Sequence, residues 1–418
     1  MKPKTRTKFP WKSLLLLVTA FQLASFAPLL LREGLWDGLA GGVAQGDDLA
    51  FVLALLGFPA VEWLFLLPLR AAAKKENLAP ELLACWLSGL SLAVCGSISA
   101  EFAWKQAVAI GGGMLTYAAI LWATGHPDRA MQLRPAVALA AGGLLAINLI
   151  LAQTVNGQRN WITLGGFSIQ PSELVKLAFI FVGAATLEKL QRTPSITRYL
   201  IFAMGCVGAL FLMRDFGAAL IFFTTYIVIA LLRSSDLRGI ALVCAAGVMA
   251  AALVLIFRPY VMGRFSVYRH VWNDMYGAGY QQTRVLIYSS SGGLFGLGLG
   301  NGRLRGVFAA STDLVFGVLC EEFGMLLAFL VALSYVGLAI YTIFSARQAR
   351  SAFYAIAAIS AASMLLIQAS LNIFGITDLL PLTGVTLPFI SRGGTSMLCS
   401  WGLLAFIAAA PQLKSSRG

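Results

Sequence analysis

Apolar residues along this chain gather into blocks close to twenty long, separated by short clusters of polar and charged residues. A block of that length crosses about 30 Å of hydrocarbon as an α-helix, so the pattern predicts membrane-spanning helices. They are expected at 12–31, 49–70, 80–99, 104–124, 134–153, 171–188, 198–213, 216–232, 239–257, 314–344, 352–374 and 394–411. Twelve spans put both chain ends on one side, and the fold class is all-α polytopic. Composition agrees, because at 59% hydrophobic and 12% charged over 418 residues the chain has too few charges to clothe a soluble globule. Glu62, deep in the second span, is expected to be a polar contact between helices.

Charge sets the sidedness. Cationic loops are retained in the cytoplasm. With Lys2, Lys4, Arg6, Lys8 and Lys12 inside, each short loop on that side also carries at least two basic residues, as in Arg70, Lys74 and Lys75 or Arg347 and Arg350. Both termini are therefore expected to be cytoplasmic, whereas the first outer loop is acidic, with Glu33, Asp37, Asp47 and Asp48. The net charge of +13 is spread in pairs as topology requires, which argues against a nucleic-acid partner. All six cysteines (Cys85, Cys95, Cys206, Cys244, Cys320 and Cys399) sit inside apolar runs without metal-site spacing and read as small buried hydrophobes. No small-residue cleavage site closes the first apolar run, which is expected to remain as an anchor.

Three outer segments depart from short polar turns and form the candidate functional surface: residues 156–176, the stretch 258–313 and residues 378–396. The long one is too glycine-rich for a spanning helix and too apolar for a linker, so a re-entrant or interfacial loop packed on the helices is expected. Pro171 suits the first turn of an inward-running helix. Lys176 then lies just over a turn inside, next to Glu173 at i,i+3, where an ammonium and free backbone N–H groups can hold an anion; a structural Glu173–Lys176 pair is the alternative.

The 258–313 stretch carries Arg258, Arg264, Arg269, Arg284, Arg303 and Arg305 against Asp274 and Asp313 alone. Guanidinium forks outside the membrane suit phosphate oxygens, of a ligand or of anionic lipid headgroups. Asp313, at the expected start of a span and near these arginines, is favoured as a carboxylate able to accept a proton or hold a metal, with a simple helix cap as the alternative. Glu321 and Glu322 follow deeper in the same apolar run.

The motifs "KQAVAIGG" (105–112), "NGQRNWITLGGFSIQPSELVKLA" (156–178), "RDFGAAL" (214–220), "YQQTRVLIYSSSGGLFGLGLGNG" (280–302), "TDLVFGVLCEEFG" (312–324) and "LLPLTGVTLPFISRGGTSML" (379–398) occur in this order. In them the chain resembles the SEDS family of polytopic glycosyltransferases, whose members include FtsW, RodA and SpoVE. The resemblance implies a ten-helix core over 80–411 with the outer loop 258–313. Residues 1–79 then hold two additional helices, and 412–418 form a cytoplasmic tail.

It further implies polymerisation of lipid II, the undecaprenyl-diphosphate-linked disaccharide pentapeptide, into peptidoglycan at the outer face of the bacterial cytoplasmic membrane. A class B penicillin-binding transpeptidase is the implied partner. The family's essential Asp falls on Asp313 and its membrane Lys on Lys176. On this reading Asp313 is the candidate base, directly or through a divalent ion such as magnesium or manganese, and the displacement inverts the anomeric centre. Lys176, Arg159, Glu173, Arg258, Arg264, Arg284, Arg303 and Ser391 are candidate substrate contacts. The sequence departs from the family pattern at Ala309 and Ser311 (Glu and His), at Met213 and Arg214 (Gln and Pro), at Arg392 (Tyr) and at Asn160 (often Arg). Two rival readings use the same features: a lipid-linked oligosaccharide flippase, and a catalytically silent scaffold of a cell-wall complex.

Overall fold

The computed structural model describes residues 9–31, 35, 46–73, 75, 77–155, 158–164, 167–187, 194–233, 237–257 and 267–411. Fourteen α-helices stand among them. They are α1 (Trp11–Leu30), α2 (Gly46–Ala73), α3 (Ala79–Ile98), α4 (Ala100–Ala123), α5 (Pro127–Leu151), α6 (Pro171–Leu187), α7 (Pro194–Leu212), α8 (Phe216–Arg233) and α9 (Leu237–Phe257), followed by α10 (Tyr280–Ser291), α11 (Val315–Glu322), α12 (Met325–Ala346), α13 (Ala352–Ile376) and α14 (Gly394–Ala409). Helices dominate because hydrocarbon leaves backbone groups no partner outside their own segment. Among the described residues α1 to α5, α12 and α13 are long and apolar enough to cross a membrane, and α7, α8, α9 and α14 contain shorter apolar stretches.

Burial separates the centre of the bundle from its rim. Along the span in α3, 83% of residues are buried, against 17% along that in α5; α6 and α14 are buried along nearly their whole length. Close approach needs small residues, since lipid supplies little hydrophobic drive between helices. A Cβ on Gly113 of α4 would come within 2.6 Å of Trp401 Cδ1 on α14. Trp401 in turn takes Phe65, Tyr117 and Phe389 edge-on at 5.8, 6.1 and 6.0 Å, which brings α2, α4 and the segment before α14 onto one ring. The N-terminal helices dock through a polar pin: Gln22 of α1 donates Nε2 to Glu62 Oε1 at 2.9 Å and to the Cys85 carbonyl of α3 at 3.3 Å. Glu62 is therefore the contact between helices that its position suggested.

Two features correct the hydropathy reading. The span expected at 314–344 is two helices, α11 and α12, broken at Gly324. Gly324 has φ +88°, and a Cβ there would sit 2.3 Å from the Leu294 carbonyl, so the apolar run bends where the glycine-rich loop crosses it. Glu321 serves that crossing: Oε1 accepts from Arg303 N at 2.7 Å and Oε2 from Leu304 N at 2.9 Å. The carbonyls of Glu321 and Glu322 accept from Leu297 N and Gly298 N.

The second correction is a small antiparallel sheet in a chain read as wholly helical. β1 (Gln153–Val155), β2 (Gln158–Leu164) and β3 (Phe167–Ile169) pair in chain order, with Gln153 opposite Trp161 and Ile162 opposite Ile169. β1 and β3, of 3 residues each, lie below the reach of an alternation signal, and β2, of 7 residues, does not alternate polar with apolar positions. The loop expected to pack on the helices does so over 267–313: it contains a 3-10 turn at Val271–Asp274 and α10, and Gln282 on α10 donates to the Gly375 carbonyl of α13 at 2.6 Å. The C-terminal tail 412–418 lies outside the described residues.

Candidate functional site

Asp313 lies two residues before α11, whose N-cap position is Leu314, so it is not the helix cap. Its place is set by a second irregular segment, 385–393. Asn372 on α13 donates Nδ2 to the Asp313 carbonyl at 2.8 Å and to the Val385 carbonyl at 2.7 Å. Ser391 Oγ donates to the Thr312 carbonyl at 2.6 Å and accepts from Leu387 N at 2.7 Å. Arg392 N donates to the Ser311 carbonyl at 2.7 Å, and Arg392 Nε to Ser311 Oγ at 3.0 Å. Ser311 and Thr312 are thus tied directly to the 385–393 run, and Asp313 is tied to it through Asn372, which also holds Val385. Gln106 of α4 fastens that run from behind, donating to the Ser391 carbonyl at 3.1 Å and accepting from Gly393 N at 3.3 Å. Ala309, at φ +64°, turns the chain into this arrangement and gives its carbonyl to Thr312 N and Leu314 N.

Lys176 approaches from α6, which begins at Pro171 as its sequence suggested. Its ammonium donates to Glu173 Oε1 at 2.7 Å and to Gln368 Oε1 at 2.8 Å, and Lys176 is 1% exposed. The Glu173 pair therefore forms; with two of three donors engaged, one N–H is left for another acceptor. Gln368 passes its own amide to the Thr386 carbonyl at 3.0 Å. Asp215 caps α8 by accepting from Ala218 N at 3.0 Å, and its other oxygen accepts from Asn160 at 2.7 Å and Gln170 at 3.3 Å. Asn160 thereby links the sheet to α8.

Several of these groups line one cavity of about 1340 Å³, larger than the ~300–1,000 Å³ of a drug-sized pocket. Its wall includes Asp313, Lys176, Glu173, Asp215, Lys105, Arg305 and Arg392. Of the expected contacts, Asp313, Lys176 and Glu173 are brought together here. Ser391 is not: it stands off the cavity wall, 2% exposed, and spends its hydroxyl on the backbone beside Asp313. Arg284 stacks over Tyr276 and Tyr280 at 5.9 and 5.3 Å and stands apart from the cavity wall, as does Arg303. Arg258, Arg264 and the Arg159 side chain lie outside the described residues. Arg305 takes the cavity position instead, with Nη1 3.4 Å from the Ser97 carbonyl.

Sequence reading missed Gln368, Asn372, Lys105, Arg305 and Arg392 as individual site residues. A signal existed for the first two: they are the amide side chains of the mostly apolar α13 and stand at i,i+4, hence on one face.

A bundle of apolar helices around a charged cavity, lined in part by a loop that carries an aspartate, defines a multi-pass membrane protein. More narrowly, the chain belongs to the FtsW/RodA/SpoVE family, whose model, described as "Cell cycle protein", matches residues 86–415. The match begins within α3, so α1 and α2 lie outside it. Stage V sporulation protein E of Bacillus subtilis is 34% identical over 259 residues, covering 60% of this chain and 71% of that protein. Peptidoglycan glycosyltransferase RodA of Mycobacterium bovis is 32% identical over 272 residues, covering 60% of this chain and 57% of its own length, so the chain spans little more than half of that relative. A chain of a solved peptidoglycan synthase complex superposes with a TM-score of 0.66 at 24% identity, over 80% of this chain and 96% of that one, and shares the fold.

Proposed function

We propose that the protein is a peptidoglycan glycosyltransferase that polymerises lipid II at the outer face of the bacterial cytoplasmic membrane, releasing undecaprenyl diphosphate. The observation that carries this reading is Asp313 on the wall of one large cavity with Lys176 and Arg305, in a chain of this family. The acceptor sugar's 4-hydroxyl gives its proton to the Asp313 carboxylate as its oxygen attacks the donor's anomeric carbon. The bond to the diphosphate oxygen breaks in line and the anomeric centre inverts. The remaining N–H of Lys176 meets the charge that develops on the departing diphosphate. Asn372 and Ser391 keep the base in place by fixing its backbone.

The residues present also bear on a divalent ion. Among the described residues no three acids, cysteines or histidines gather to hold a metal by themselves. Asp313 offers one hard oxygen ligand, which fits magnesium or manganese when diphosphate oxygens and water complete the shell. Bound there, the ion would neutralise diphosphate charge.

In this reading both termini are cytoplasmic, the cavity opens outward, and a class B penicillin-binding transpeptidase crosslinks the strands. The test is reconstitution of the purified protein with lipid II, and that partner, under a drug that blocks the unrelated soluble-domain glycosyltransferases. Glycan strands are expected; none, from a folded protein with its partner and divalent ions present, would overturn the assignment.

A further inference from the structure

The cavity contains a second cationic group that the reaction above leaves unused. Arg392 lines it, with the guanidinium carbon 3.8 Å above the Phe102 ring of α4 and Nε bonded to Ser311 Oγ at 3.0 Å. Ring and hydroxyl together fix the plane of the guanidinium, so little side-chain freedom remains to be lost on binding. Among the described residues no acceptor takes either terminal amino group, and no carboxylate stands within salt-bridge distance of Arg392 or Arg305. Glu101, on the first turn of α4, is ion-paired with Lys105 one turn along and acts on Arg392 only from beyond pairing distance, as Glu322 acts on Arg305. The two arginines reach the same α3–α4 corner, Arg305 at Ser97 and Arg392 at Phe102. Lys176 differs, because its charge is matched by Glu173.

Arg392 is half-buried and Arg305 exposed, so neither guanidinium is sealed off, and both can be reached by an anion that enters the cavity. We infer that Arg392, oriented by Phe102 and Ser311 and assisted by Arg305, is the binding site for the diphosphate of a lipid-linked sugar, separate from the Lys176 group. Asp313 lies between the two groups along the chain contacts: Ser311 joins it to Arg392, while Asn372 and Gln368, one turn apart on α13, join it to Lys176. The cavity then holds two diphosphates at once, one at each group, as joining two lipid-linked sugars requires. The inference rests on the proposed glycosyl transfer for its ligand, and on the contacts of Arg392 for its place.

The test measures binding of farnesyl diphosphate to the full chain in nanodiscs of phosphatidylcholine, with and without phosphatidylglycerol. Arg392→Gln is expected to weaken binding about tenfold, since it removes charge-assisted bonds to the anion. Arg392→Lys keeps the charge but not the fork, and is expected to weaken it about threefold; it carries the test if the Gln variant does not fold. Unchanged affinity in a folded variant overturns the site. So does phosphatidylglycerol competing for Arg392 while farnesyl diphosphate binds independently of it, which would make this a headgroup contact. If diphosphate binding depends on Arg392 but lipid II is never polymerised, the site stands and the proposed reaction falls; the reverse pattern has the opposite meaning.

Discussion

Lys176 and Gln368 share a hydrogen bond of 2.8 Å across the contact between α6 and α13. One turn further along α13, Asn372 holds the backbone of Asp313 at 2.8 Å. A single helix face thus sets the spacing between the candidate base and a buried cation, and the cation's other partner, Glu173, decides how its removal is read.

Lys176→Met leaves Glu173 as a buried acid without its counter-charge, so a loss of about 3–5 kcal/mol in stability is expected together with loss of turnover. Adding Glu173→Gln should restore most of the thermal stability and none of the polymerisation. Recovery of both would show that the pair serves structure alone.

Asp313→Asn preserves side-chain size and leaves the backbone contact to Asn372 in place, yet removes the basic oxygen. Polymerisation should fall by about 10²- to 10⁴-fold, the usual worth of a general base, in a protein that still folds. Near wild-type rates of lipid II consumption would exclude the base role.

Gln22→Leu removes the donor that Glu62 uses at 2.9 Å inside the α1–α2–α3 contact. A buried acceptor left without a partner costs about 1–3 kcal/mol or more, so thermal stability should drop. The double change Gln22→Leu with Glu62→Leu should recover it, because both polar groups then leave the interface together. Equal stability of the single variant and the parent would contradict the pin.

A cysteine placed at Met275 in a cysteine-free background should react with an impermeant thiol reagent in intact cells, and one placed at Arg347 only after permeabilisation. The reverse pattern would invert the topology and put the cavity on the wrong side for a lipid-linked sugar outside the membrane.

The placement of most helices could be read from the sequence, because a segment in hydrocarbon must satisfy its own backbone and so announces itself by length and apolarity. Asp313 and Lys176 were also legible, since a charge in an apolar run is expensive and therefore conspicuous. What hydropathy reports is the surrounding solvent, not the neighbour. It could not separate α11 from α12, because the break lies in the backbone at Gly324 and in a loop arriving from residues 292–298. Nor could it tell Arg305, on the cavity wall, from Arg284, stacked on tyrosines, since the two are alike in charge and in local setting. Ser391 and Arg392 are adjacent in sequence, yet one spends its side chain on the backbone beside Asp313 while the other faces the cavity. Apart from the local stacking of Arg284, those assignments were made by contacts between segments tens to hundreds of residues apart, and only the packed chain brings such partners together.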